Sequence, residues 1–262
     1  MLLRARQPVT LRDWWTHRLV GEAAPARVTL TWRAVARSFA RALPTPRSTP
    51  FTFGYLIVLL GTTLVLRFAD PVVTAKLLQL SSTDAHNLWR RPLVSLLSSA
   101  LWLEDGGWLA YAIIFTIALA PLERRFGPGR TAIVFFSGHV LATLATEVPV
   151  MLLISGGVLP TTASRWLDIG VSYGFFTTAG ALAFLLRGRP RVVALVVMEL
   201  FIAAVWVFDS PGSLDSVVTV LGHACAAHFG LFYWGPRLRN SANRRLPGAT
   251  PTEFAKPGPD GT

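Results

Sequence analysis

The feature that most constrains this chain is a succession of six apolar segments, each close to the length that crosses a bilayer. A membrane-spanning helix needs about 20 predominantly apolar residues. The chain is 52% hydrophobic with a mean hydropathy of +0.47, which is too apolar for a soluble domain of 262 residues. We therefore predict an all-α, polytopic membrane protein with spans at 51–68, 107–122, 131–154, 169–186, 192–208 and 216–235.

The distribution of charge supports this topology. The net charge is +11, and 20 of the 25 Lys and Arg residues fall into four groups. These groups lie before residue 50 and within 124–130, 187–191 and 237–256. With six spans, all four groups fall on the same side of the membrane. This sorting follows the positive-inside rule and predicts that both termini are cytoplasmic. The charge therefore reports orientation and does not indicate a nucleic-acid partner.

Three segments outside the spans have distinct compositions. Residues 1–50 form a basic cytoplasmic segment, and its evenly spaced arginines (Arg33, Arg37, Arg41) predict either an amphipathic helix on the membrane surface or a solvated leader. Residues 69–106 form a long outer connection whose tryptophans predict a position at the membrane interface. We predict a membrane domain over 51–235 and a disordered cytoplasmic tail over 236–262, which is rich in Pro, Gly, Ser and Arg.

Two polar residues in the apolar spans carry the functional hypothesis. Ser172 begins the fourth span, and His223 lies inside the sixth, where an ionisable side chain points to function by default. At 1.5 Å per residue, they lie about 6 and 12 Å below the outer ends of their spans. A serine beside a histidine can act as a nucleophile with its general base. The alternative is a structural serine that bonds back to its own helix.

Small residues predict that these two spans approach closely. Span four carries Gly170-x-x-x-Gly174, and span six carries a ladder from Gly222 through Ala226 to Gly230. Ladders of this kind let membrane helices pack backbone against backbone. The histidine of span six shares a face with the last two ladder positions, so the same contact would aim its ring at span four.

Four short stretches carry a family resemblance. They are LWRRPLVSLL, LERRFG, GVSYG and GHACAAHFG, in this order between residues 87 and 234. This part of the chain resembles the rhomboid family of intramembrane serine proteases, as a divergent member of bacterial type. The resemblance implies a six-helix rhomboid-like bundle in the bacterial plasma membrane, with Ser172 as nucleophile and His223 as general base. It also implies transmembrane proteins as substrates or clients, and no cofactor.

The chain departs from the family pattern at two places. Active rhomboids have a glycine after the serine, and this chain has Tyr173. They also carry a His-x-x-x-Asn pair in helix 2 that helps to bind the oxyanion, and neither possible register supplies it here. The hydroxyls of Tyr111 and Tyr173 and the backbone at Gly107 are the candidate substitutes. Because loss of one oxyanion donor costs about 10²–10³ in rate, these departures bear directly on activity.

Three functions therefore stay open. The first, which we predict, is an intramembrane serine protease that cleaves transmembrane segments with the Ser-His dyad. The second is a pseudoprotease that binds transmembrane segments without cutting them. The third is a small transporter that uses His139 and Glu147 of span three, although these two groups are also typical of hydrogen bonding between neighbouring helices.

The remaining ionisable groups indicate packing and structure. No HExxH motif or clustered Cys and His spacing indicates a metal site. Cys225 is expected to be a small packing residue, and Glu199 a structural group in span five. Glu123, after span two, is expected to act as a structural cap at the inner face.

Overall fold

The computed structural model of the chain describes residues 42–103, 107–208 and 212–244. Within these ranges it consists of helices and turns without a strand, which confirms the all-α class. A 3-10 turn spans Thr161–Ser164 and a π-helical turn spans Gly230–Trp234. The α-helices in chain order are α1 (Pro50–Phe68), α2 (Pro71–Ser81), α3 (Ala85–Arg90), α4 (Pro92–Ser99), α5 (Trp108–Ile117), α6 (Leu119–Phe126), α7 (Pro128–Ser155), α8 (Ser172–Leu185), α9 (Arg189–Phe208), α10 (Leu214–Phe229) and α11 (Gly235–Asn243).

A helix occupies each of the six predicted spans, but only four are long and apolar enough to cross a membrane by themselves. They are α1, α7, α9 and the continuous rod from Leu214 to Asn243. The other two, α5 and α8, are shorter apolar helices of 10 and 14 residues. The count of six membrane crossings therefore stays a prediction.

The second predicted span is divided in two by Pro121. Helix α5 ends at Ile117, and α6 begins at Leu119. Proline has no N–H to donate, and its ring crowds the carbonyl four residues earlier, which here belongs to Ile117. The break is therefore a local consequence of the sequence.

Helix α8 lies at the centre of the bundle. It contacts α6, α7, α9, α10 and α11, and ten of its 14 residues are buried. At 1.5 Å per residue, it is about 21 Å long, which is shorter than the roughly 30 Å apolar core of a bilayer. Its first residue, Ser172, is half-buried.

The close approach of α8 and α10 is confirmed, but it uses a different ladder on α8. A Cβ on Gly230 would overlap the backbone of Thr177, and a Cβ on Gly180 would overlap the carbonyl of Ala227. The predicted α8 ladder was wrong: Gly170 precedes the helix, and Gly174 faces a phenylalanine of α7. The positions of α8 that meet α10 and the π-helical turn are Thr177 and Gly180, which lie one to two turns after Gly174.

The outer connection between α1 and α5 folds into the three short helices α2, α3 and α4. The Arg91 guanidinium bonds the Leu80 carbonyl and the Asn87 side chain, which ties α2 to α3. Trp89 and Leu93 are more than 70% exposed. Exposed apolar side chains of this kind suit the predicted interfacial position, which stays a prediction.

The second half of α6 anchors the start of α1 through Glu123, as expected for a structural cap. Its carboxylate accepts hydrogen bonds from the backbone N–H groups of Phe51 and Thr52 at 2.8 Å and from the Thr52 hydroxyl at 2.7 Å. An anion at a helix N-terminus satisfies the otherwise unpaired donors there. Arg124 donates to the carbonyls of Ala42 and Leu43, so α6 also holds the chain that enters α1.

The predicted start of the disordered tail at residue 236 was wrong. The rod of α10 continues through the π-helical turn into α11, which ends at Asn243. Pro236 cannot donate to the carbonyl four residues earlier, and a π turn accommodates such a missing bond. Leu238 is buried in a cluster with α6, α7 and α8. The rest of the predicted tail, and the predicted amphipathic helix before residue 42, lie outside the described residues.

Candidate functional site

Ser172 is the first residue of α8, and the backbone before it is positioned by glycine. Gly170 has φ +138°, a value that side-chain-bearing residues rarely adopt. Its N–H donates to the carbonyl of Ser99, the last residue of α4, at 3.1 Å. The half-buried Ser172 is therefore held at the junction of α4 and α8.

A cavity of about 170 Å³ lies at this junction. It adjoins a wider cavity of about 490 Å³ beside the start of α10, and the two share Leu167 and Thr219 in their walls. The smaller cavity is lined by Thr83, His139, Leu167, Asp168, Ile169, Gly170, Ser172, Tyr173 and Thr219. The serine therefore faces a space that a small ligand or several water molecules would fill.

Hydrogen bonds from the outer connection hold residues 166–168, which form part of the cavity wall. The Thr83 N–H donates to the Asp168 carbonyl at 2.9 Å, and the Thr83 hydroxyl donates to the Asp168 carboxylate at 2.8 Å. Ser82 Oγ donates to the Trp166 carbonyl and accepts from the Asp168 N–H, each at 3.0 Å. These bonds fix the segment that leads into α8.

His223 lies on α10 and is only 5% exposed. Its ring packs against two residues of α8, with ring centroids 5.5 Å from Tyr173 and 4.5 Å from Phe176. Neither Nδ1 nor Nε2 has a hydrogen-bond partner in the described part of the chain. A buried imidazole without partners is unusual and requires an explanation.

The structure brings the helices of Ser172 and His223 together without joining the two side chains. Because both ring nitrogens are unpaired, the described residues contain no hydrogen bond between His223 and Ser172. His223 contacts the residue after the serine, and Tyr173 also fills the space beside Gly222, where a Cβ would overlap its ring. The histidine that shares the cavity lining with Ser172 is His139.

His139 is a buried residue of α7 that is bound to α4. Its Nε2 lies 3.1 Å from the Leu96 carbonyl and 3.1 Å from Ser99 Oγ. A carbonyl only accepts, so Nε2 carries the hydrogen and Nδ1 carries the lone pair of the neutral ring. This bond supports the structural interpretation of His139, while its Nδ1 has no partner among the described residues.

Glu147, two turns further along α7, is fully buried. Its carboxylate interacts with the Trp166 side chain, although neither oxygen makes a hydrogen bond of normal geometry within the described ranges. It lies within electrostatic range of Asp84 and Asp168. No group of three or more His, Cys, Asp or Glu side chains in the described residues is arranged to hold a metal ion. The predicted lack of a metal and of a cofactor stays a prediction.

The three oxyanion candidates fall in different places. Tyr111 packs edge-on against Phe115 in the aromatic cluster between α1, α5 and α7. Gly107 is the N-cap of α5. Neither is among the described residues that line the cavity at Ser172. Tyr173 does line the cavity, and its buried hydroxyl interacts with the Thr146 side chain without a hydrogen bond of normal geometry.

Sequence reasoning missed several residues around the serine. Thr83 comes from the outer connection and Thr219 lies one turn before His223 on α10, and both line the cavity. Thr219 could have been predicted, because residues four positions apart lie on the same face of a helix and His223 is four residues later. No local pattern indicated Thr83, because its position depends on how the connection folds back over α8.

One contact between side chains on the outside of the bundle was also missed. His228 Nε2 lies 3.7 Å from Glu199 Oε1, which links α10 to α9. Both side chains are about half exposed. His228 therefore points away from the cavity, as its spacing from His223 predicts.

Comparison with known proteins identifies the architecture. Residues 45–241, about three quarters of the chain, match the family model described as rhomboid-like protein. No curated protein and no solved structure matches the chain.

Proposed function

The chain belongs to the rhomboid-like family of integral membrane proteins, and on that basis we propose that it binds transmembrane segments of other proteins without cutting them. The observation that carries this proposal is the position of Tyr173. Its ring lies between α8 and α10 at the level of His223. The proposal accounts for a protein that has the family architecture although Ser172 and His223 are not hydrogen-bonded to each other.

Serine hydrolysis requires a base that is hydrogen-bonded to the nucleophile. In serine hydrolases, the general base accepts the serine proton as the hydroxyl oxygen attacks the carbonyl carbon of the substrate. His223 makes no such bond among the described residues, and its ring is packed against Tyr173 and Phe176. Without that bond the Ser172 hydroxyl keeps its proton and is a weak nucleophile.

The stabilisation of an oxyanion is also incomplete. The His-x-x-x-Asn pair of active family members has no counterpart in the second span, and Tyr111 and Gly107 lie outside the described cavity lining. Loss of a single donor costs roughly 3–4 kcal/mol of transition-state stabilisation. The Tyr173 hydroxyl is the remaining side-chain candidate at the cavity. A site that lacks both the base contact and the His-x-x-x-Asn pair is better suited to binding than to cleavage.

An intramembrane serine protease is the second candidate. It is favoured by the unpaired nitrogens of His223 together with the position of Ser172 in the cavity wall. Apo geometries of catalytic pairs are often loose and tighten when substrate binds. In this alternative, movement of the Tyr173 ring lets His223 accept the Ser172 proton.

Labelling with a fluorophosphonate separates the two functions. The purified full-length protein in detergent is treated with the probe beside an active rhomboid protease, and Ser172→Ala serves as the control. We expect no labelling of the wild type under conditions that label the active protease. Labelling that disappears in Ser172→Ala would establish a reactive serine and overturn the non-proteolytic proposal.

Binding is tested in reconstituted vesicles by energy transfer. The donor is the labelled full-length protein, and the acceptors are single-span peptides that carry either a central Gly-Pro pair or leucines throughout. We expect transfer above random mixing for at least one peptide, with the peptide recovered intact. Transfer that equals random mixing for both peptides would contradict the binding function.

A further inference from the structure

Four arginines from three helices and a turn lie together at one end of the bundle. Arg187 follows α8 and lies within electrostatic range of Arg125 on α6 and of Arg239 on α11. Arg239 also lies within range of Arg191 on α9. We call Arg125, Arg187, Arg191 and Arg239 the arginine cluster.

An aromatic ring holds two members of the cluster in place. The guanidinium carbons of Arg191 and Arg239 lie 4.9 and 4.1 Å from the ring centroid of Phe184, which is the range of cation–π attraction. Arg239 Nη2 also donates to the Phe184 carbonyl. These contacts fix the positions of two positive charges without neutralising either.

The described residues provide no carboxylate for the cluster. Glu123 is the acidic residue of this end, and it is 2% exposed with its oxygens bound to the start of α1. Arg125 Nε is buried and has no hydrogen-bond partner in the described ranges. Like charges that are held together raise the free energy of the folded protein unless an anion offsets them.

We propose that the arginine cluster is a binding site for the phosphate group of an anionic ligand. Guanidinium groups match the geometry of phosphate oxygens and bond them in pairs. The positive-inside rule predicts that this end faces the anionic cytoplasmic leaflet. Basic pockets between membrane helices on that side bind lipid headgroups, so a phospholipid or free phosphate would supply the same group.

A thermal unfolding titration tests this site. The purified full-length protein in a neutral detergent receives phosphatidylglycerol, phosphatidylcholine or inorganic phosphate at constant ionic strength, and tryptophan fluorescence follows unfolding. We expect phosphatidylglycerol to raise the midpoint with saturation, because a ligand of the folded state stabilises it. A comparable saturable rise with inorganic phosphate would identify the free anion as sufficient, and a rise with phosphatidylglycerol alone would identify the lipid.

A pair of matched variants separates the site from general surface charge. Arg187→Gln removes an exposed member of the cluster, and Arg189→Gln removes an exposed arginine two residues away. We expect Arg187→Gln to weaken the apparent affinity about fivefold, as for about 1 kcal/mol per arginine, and Arg189→Gln to change it less than twofold. Equal weakening by both variants, or equal midpoints with phosphatidylglycerol and phosphatidylcholine, would overturn the proposal.

Discussion

The phenol ring of Tyr173 meets the imidazole of His223 edge to face, with centroids 5.5 Å apart and an interplanar angle of 76°. Tyr173 directly follows Ser172, so the histidine contacts the neighbour of the serine. Aromatic pairs in this geometry are stabilised by about 0.5–1.5 kcal/mol beyond the area they bury. The contact therefore favours the arrangement in which the serine and the histidine remain apart.

Replacement of Tyr173 by glycine tests the role of this ring. We expect Tyr173→Gly to increase fluorophosphonate labelling above the wild type, because the histidine gains space to reach Ser172. We also expect a lower unfolding midpoint, since deletion of a buried aromatic ring typically costs about 3–5 kcal/mol. Tyr173→Phe keeps the ring and is the matched control, which should remain unlabelled. A folded Tyr173→Gly protein without labelling would show that the ring is not what prevents reaction.

The contact between α8 and α10 predicts different outcomes for two glycines. Gly230→Ala places a Cβ against the backbone of Thr177, whereas Gly61 on α1 has nothing within 4 Å of the added carbon. We expect Gly230→Ala to destabilise the protein by about 1–3 kcal/mol, as overpacking does. Gly61→Ala should stabilise it by about 0.5–1 kcal/mol through helix propensity. Unfolding in mixed micelles with increasing sodium dodecyl sulfate measures both, and equal effects would contradict the close approach.

The bonds from Glu123 to the start of α1 predict a graded effect of substitution. Hydrogen bonds to a charged group contribute about 1.5–3 kcal/mol each, and the three bonds here share one buried carboxylate. We expect Glu123→Ala to cost about 3 kcal/mol or more in the same unfolding assay. Glu123→Gln keeps a neutral acceptor and should cost less. If Glu123→Gln destabilises the protein as much as Glu123→Ala, the negative charge and not the hydrogen-bond geometry holds this helix end.

The packing of α11 predicts that Leu238 contributes to stability although it lies beyond the last predicted span. It is 3% exposed and packs with Leu122, Phe126 and Val134. We expect Leu238→Ala to destabilise the protein by about 2–4 kcal/mol, because it leaves a cavity. Leu221→Ala, at a site on α10 that is 54% exposed, should change stability by less than half as much. Similar losses for both leucines would argue against a packed α11.

Much of the architecture could be predicted because it depends on local properties of the chain. Helix α1 begins within one residue of the predicted span, since Pro50 starts the helix and the apolar run sets its length. The ladder from Ala226 to Gly230 packs against α8, since small residues permit close approach wherever the partner backbone lies. The extension of α11 was missed because proline and arginine resemble a tail in composition, whereas burial of Leu238 depends on distant helices.

The sequence by itself determined that this protein is an all-α membrane protein, because apolar length and the sorting of arginines act independently of the rest of the fold. It also determined which helices carry Ser172 and His223. Only the tertiary structure decided which side chains meet, because rotation of α8 against α10 selects Tyr173 as the neighbour of His223. A shift of one residue along a helix turns a side chain by about 100°, and no spacing pattern specifies that rotation before the helices are packed.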